Sequence, residues 1–135
     1  MFEVPTAIST KNRATAGHLL GEVVATAVLV VLIFALARTG RGVLAAPAVG
    51  AYIGAAYWFT SSTSFANPAV TIGRIFTDTF AGIAPGSVAP FILAQLVGAA
   101  AGVLLLYVLH PSAGTSADDV VLPHPADSAV ERHTP

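Results

Sequence analysis

The stretch Ser64-Phe65-Ala66-Asn67-Pro68-Ala69-Val70-Thr71 carries the most specific chemistry of this chain. The Asn67 side chain can cap a helix by accepting from its first free backbone N–H groups. Pro68 suits the first helical position, where no N–H is required. The run Thr60-Ser61-Ser62-Thr63-Ser64 comes just before and supplies hydroxyls that can satisfy backbone outside a helix. Glu22 is an ionisable group inside apolar sequence, and Arg74 stands four residues before Asp78, a spacing that pairs side chains on one helix face. His18, His110, His124 and His133 share no ligand spacing, so no metal site is expected. The absence of cysteine excludes disulfides and thiolate ligands. No residue pattern offers a nucleophile with its base, so neither enzyme activity nor a cofactor is expected.

The elements that must position these residues follow from composition. Hydrophobic residues make up 55% of the 135 residues and charged residues 10%, with a mean hydropathy of +0.77. Soluble domains carry roughly a quarter charged residues, so this is a membrane protein with the lipid bilayer as its first partner. A net charge of −1 gives no electrostatic case for nucleic acid. Three spans are predicted, over 17–37, 43–59 and 87–109, the last with Pro90 in its first turn. The first is too long and too far from Met1 for a cleaved signal peptide. The second ends in Tyr57-Trp58-Phe59, rings suited to a membrane interface. Residues 1–14 read as an extramembrane segment, and 111–135, rich in Pro, Ser, Asp, Thr and Ala without periodicity, as a disordered tail.

Between the second and third spans, a helix over 67–76 would rise about 15 Å, half a bilayer core, and cannot cross. A polar non-helical run followed by a half-length helix fits a re-entrant element, which is tolerated where it is buried in protein or lines a wet cavity. The alternative is a surface loop with a helix lying on the headgroups, although no cationic face is present to support it. Glu22, five residues into its span, is a functional candidate by position, with snorkelling to the interface as the alternative. The pairs Gly50/Gly54 and Gly98/Gly102 have the spacing of close helix approach.

Taken together, Glu22 with Thr26, Asn67-Pro68-Ala69, Asp78-Thr79-Phe80-Ala81-Gly82-Ile83 and Ala94-Gln95-Leu96-Val97-Gly98-Ala99 resemble, in order, the second half of an aquaporin, the major intrinsic protein family. The likeness covers about residues 15–110. It implies half of an aquaporin-like fold, an all-α membrane protein with three transmembrane helices and one re-entrant half-helix, and an integral multi-pass protein of the plasma membrane. It also implies channel-type diffusion of water or small neutral solutes past Asn67, with the carbonyls of Thr63, Ser64, Phe65 and Ala66 as acceptors along the pore. By the same resemblance Glu22 supports the re-entrant loop, with Gln95 as a further structural residue of the last span.

Two departures stand out. The family usually places an arginine directly after the second Asn-Pro-Ala, and Val70 occupies that position, with Arg74 one turn on. Arg74 either displaces the filter or pairs with Asp78. Ala55 stands where water-selective members commonly carry histidine. Val70, Arg74, Ala55 and Ser64 are therefore the selectivity candidates, and the resemblance points to a wide filter passing glycerol-like solutes or undissociated metalloid acids. The second departure is that the first half of the family pattern is missing, so a pore needs a complementary half or a homo-oligomer. Lys11 and Arg13 on one side balance Arg38 and Arg41 on the other, which leaves orientation weakly specified. The alternative function is a truncated, non-conducting remnant or a small membrane interaction protein.

Overall fold

A computed structural model of the chain describes residues 6–109. The expected tail at 111–135 lies outside the described residues, as do His110, His124 and His133. The described residues fold as helices joined by irregular backbone. Three helical stretches are long and apolar enough to cross a bilayer.

The first helix, α1, runs over Ala16–Arg38. Thr15 caps it, its Oγ1 accepting from the His18 N–H at 3.4 Å. At the other end Gly40 takes a left-handed φ of 68°. That conformation lets the Arg41 N–H reach back to the Leu36 carbonyl at 2.9 Å and close the last turn, as glycine does at many helix ends. A 3-10 turn over Gly42–Leu44 leads into α2, Ala45–Phe59, which ends where the Thr60 hydroxyl and N–H both return to the Ala56 carbonyl.

The short α3 covers Pro68–Gly73 and passes into a 3-10 turn over Arg74–Phe76. The helix expected over 67–76 thus changes to 3-10 form in its last turn, and it does not continue beyond Phe76 because the next carbonyls are taken elsewhere: Arg74 O accepts from Ile83 N–H at 3.2 Å and Ile75 O from Ser9 N–H at 2.8 Å. The last helix, α4, spans Pro85–Leu109. It begins two residues before the expected start, since Pro85 opens the helix rather than closing the preceding turn. Pro90 therefore sits in the second turn.

The pair α1 and α4 forms the frame. A Cβ on Gly98 would stand 2.5 Å from the Val23 carbonyl, and one on Gly102 2.7 Å from that of Ala27. Glycine lets the two backbones touch, and dispersion contacts between close helices are what hold them in lipid. Gly50 and Gly54 on α2 face open space instead. α2 is attached more lightly, by the Tyr52 hydroxyl donating to the Ala25 carbonyl at 2.8 Å and by the fully buried Ala56.

Residues 60–76 dip between the long helices and return to the end from which they came. Ser61 Oγ donates to the Gly17 carbonyl in the first turn of α1. The Phe65 and Ala66 N–H groups meet Glu22, five residues further along α1 and about 9 Å from its start. Thr71 meets Gln95, ten residues into α4, about 15 Å along it. Ile75 then contacts Ser9, ahead of α1, and Arg74 contacts Ile83, ahead of α4. Phe65, Ala81, Ile83 and Phe91 make the buried apolar cluster under this dip.

Candidate functional site

Asn67 is held in extended backbone, φ −156° and ψ 123°, and its Oδ1 accepts from Ala69 N–H at 2.8 Å and Val70 N–H at 3.4 Å. The cap thus uses the oxygen of the side chain. The amide nitrogen has no acceptor among the described residues, and Asn67, Pro68, Ala69 and Val70 are all exposed.

Just before it the chain is strained. Thr63, Ser64 and Ala66 have φ values of 64°, 49° and 48°. Left-handed backbone costs a non-glycine residue roughly 1–2 kcal/mol, more for a β-branched one such as threonine, so the surrounding structure must impose it. Glu22, fully buried in α1, holds the Asn67 end of this segment. Its two carboxylate oxygens accept from Phe65 N–H and Ala66 N–H, each at 2.9 Å. Gln95 Nε2 adds a third donor to Glu22 Oε2 at 2.7 Å and also donates to Thr71 Oγ1 at 2.8 Å. Thr71 Oγ1 in turn donates to the Asn67 carbonyl at 3.0 Å. The Thr63 and Ser64 N–H groups go instead to Thr60 O at 3.5 Å and Ser62 Oγ at 3.2 Å, and the carbonyls of Thr63, Ser64, Phe65 and Ala66 are left without a donor among the described residues. The buried Thr63 and Ser64 hydroxyls also lack a partner among the described residues.

The other candidates are placed less tightly. Ala55 is exposed on α2, and Arg74 is half-buried in the 3-10 turn. No ion pair between Arg74 and Asp78 forms among the described residues. Asp78 Oδ1 instead accepts from Ser9 Oγ at 3.3 Å and Thr10 N–H at 3.2 Å.

The residue that sequence reasoning missed is Arg13. Treated as a flanking charge, it is in fact 6% exposed. Its Nε donates to Gly82 O at 2.7 Å, Nη1 to Ser62 O at 3.3 Å and Nη2 to Phe80 O, and its guanidinium carbon lies 5.6 Å from the centre of the Phe65 ring. Residues 9–13 form a strap that also ties Ala84 N–H to Lys11 O at 2.8 Å and Arg13 N–H to Ser87 Oγ at 3.0 Å. Burial pulls the Arg13 pKa below its ordinary value, with Tyr57 and Glu22 acting the other way and Arg74 adding to the lowering. An arginine stays charged regardless at physiological pH. No local pattern announces such a residue, because every partner comes from elsewhere in the chain.

Beside this strap a cavity of about 470 Å³ is lined by Tyr57, Trp58, Thr60, Ser61, Thr63 and Phe80. Aromatic rings and hydroxyls share its wall, and no carboxylate lines it.

Comparison with known proteins identifies the family. The family described as Major intrinsic protein matches residues 46–134. Aquaglyceroporin AqpS of Rhizobium meliloti (strain 1021) is 47% identical over 115 residues, covering 83% of this chain and 48% of that protein. The chain thus spans about half the length of the curated relative it matches. No solved structure matches. With the family matched over most of its length and three helices able to cross a bilayer, the chain is a multi-pass integral membrane protein that belongs to the major intrinsic protein family.

Proposed function

We propose that this chain provides half of a channel for facilitated diffusion of water or small neutral solutes, with 60–76 as the re-entrant element of the pore. The observation that carries this reading is the row of four carbonyls, Thr63 to Ala66, left without donors beside an Asn67 whose amide nitrogen is free among the described residues. A neutral polar solute needs acceptors and donors that replace its water shell, and this row with Asn67 offers both. It offers no group that reacts.

The likeness to an aquaglyceroporin supports a glycerol-sized path, and Val70 in place of a long cation keeps that path wide. Undissociated metalloid acids, which present hydroxyls at similar spacing, fall in the same class. Exposed Asn67, whose amide nitrogen has no acceptor among the described residues, needs a covering partner, because an unsatisfied polar group facing lipid costs several kcal/mol. A complementary half or a second copy of the chain fills that place.

The test is stopped-flow light scattering on vesicles containing the full chain, with and without a co-expressed first half from a major intrinsic protein. Glycerol flux above empty vesicles, lost in Asn67→Ala, is expected in at least one preparation. Flux in neither, from protein shown to be folded and inserted, overturns the channel reading in favour of a non-conducting membrane protein.

A further inference from the structure

Arg13 is a buried cation with no carboxylate in bridging range among the described residues. Its donors end on three backbone carbonyls, and its face lies over Phe65. Its charge is therefore held in place and is not cancelled by direct pairing. Two of those carbonyls belong to Ser62 and Phe80, and residues 61, 63 and 80 line the 470 Å³ cavity at the end of the bundle where the dip begins. The guanidinium thus stands directly behind the cavity wall.

The other charges nearby are distributed unevenly. Glu22 acts at the far end of the carbonyl row, on Phe65 and Ala66. Asp78 is tied to Ser9 and Thr10, and Arg74 adds a second positive charge near Arg13. A row of free carbonyl oxygens by itself attracts cations, as the filters of potassium channels demonstrate. We propose that Arg13 is a specificity-determining residue: its fixed charge makes the cavity at the Ser62 end of the carbonyl row positive and turns cations away there, although Val70 supplies no charge further in. The selectivity part of this inference rests on the channel reading, whereas the positive potential does not.

A cysteine-free chain makes the potential directly measurable. The full chain carrying Ser61→Cys, an exposed cavity residue, is placed in vesicles of uncharged phosphatidylcholine and treated separately with an anionic sulfonate and a cationic trimethylammonium methanethiosulfonate. The anion-to-cation ratio of labelling rates is compared with that of a free thiol in the same buffer. A unit charge several ångströms away in a mostly aqueous surrounding shifts this ratio roughly threefold to tenfold.

The ratio is expected to exceed the free-thiol value at least threefold, to fall back in Arg13→Gln and to persist in Arg13→Lys, which keeps the charge but not the planar fork. A ratio equal to that of the free thiol with Arg13 intact overturns the proposal, and this measurement needs no Arg13 variant to fold. Loss of the ratio in both folded variants assigns the effect to shape and overturns it as well. Glycerol flux from the same vesicles separates the two readings. Flux with an unshifted ratio removes the role of Arg13 alone, and a raised ratio without flux removes the channel while leaving the positive cavity.

Discussion

Glu22 and Gln95, 73 positions apart, meet at 2.7 Å with the amide nitrogen of Gln95 donating to Oε2 of the carboxylate. This bond ties α1 to α4 at the level where the strained backbone of residues 63–66 needs support. The same carboxylate takes two backbone N–H groups of that segment. One side chain thus joins the helix frame to the dip.

Replacement Glu22→Gln keeps the size and removes the charge. Three donors then face a group with one acceptor oxygen and two donor hydrogens of its own. Hydrogen bonds to a charged group are worth about 1.5–3 kcal/mol each, so a loss of about 2–4 kcal/mol is expected after relaxation. Gln95→Ala loses the bonds to Glu22 and Thr71 and leaves a cavity, so it should destabilise by a similar amount. Detergent-solubilised protein unfolded with increasing dodecyl sulfate and followed by far-UV circular dichroism measures both. Equal stability of Glu22→Gln and the parent chain contradicts the central place of this carboxylate.

The two glycine pairs should respond with opposite signs. In Gly98→Ala the new methyl meets the Val23 carbonyl at 2.5 Å, so α1 and α4 must move apart, at a cost of about 1–3 kcal/mol that outweighs the helix propensity gained. Gly50→Ala meets nothing within 4 Å and should gain up to about 1 kcal/mol. The same unfolding assay decides. Stabilisation by Gly98→Ala would show that the close α1–α4 contact is absent.

Depth can be read by labelling. Cysteine at Ser61 stands at the end of the bundle, whereas cysteine at Ile72 lies on the half-helix, next to Thr71 at the level of Gln95 and Glu22. With an impermeant thiol reagent on membranes, Ser61→Cys should react several times faster than Ile72→Cys. Similar rates would place the half-helix outside the bilayer and support the surface-helix alternative.

Selectivity is addressed by Val70→Arg. A long cation beside Asn67 both fills the passage and adds donors, so in a conducting assembly the glycerol-to-water permeability ratio should drop at least several-fold, as read by stopped-flow light scattering. An unchanged ratio removes Val70 from the constriction.

What the sequence determined by itself is local and apolar. Hydropathy marked the three long helices to within a residue or two, because in lipid a run of some twenty apolar residues must close its own hydrogen bonds as a helix. The Asn67-Pro68 pair announced its cap, since both capping bonds lie within three residues. The family motifs marked Glu22 and Gln95 as residues of interest. Tertiary structure decided the rest. Only folding brings Glu22 to Phe65 and Gln95 to Thr71, sets three non-glycine residues at positive φ, and frees the four carbonyls. Only folding buries Arg13 under carbonyls 49 to 69 positions away, turning what reads as a flanking surface charge into the fixed cation of a cavity. The physical reason is that hydropathy and capping act between near neighbours in the chain, whereas a buried charge is defined by its partners, and here no partner is local.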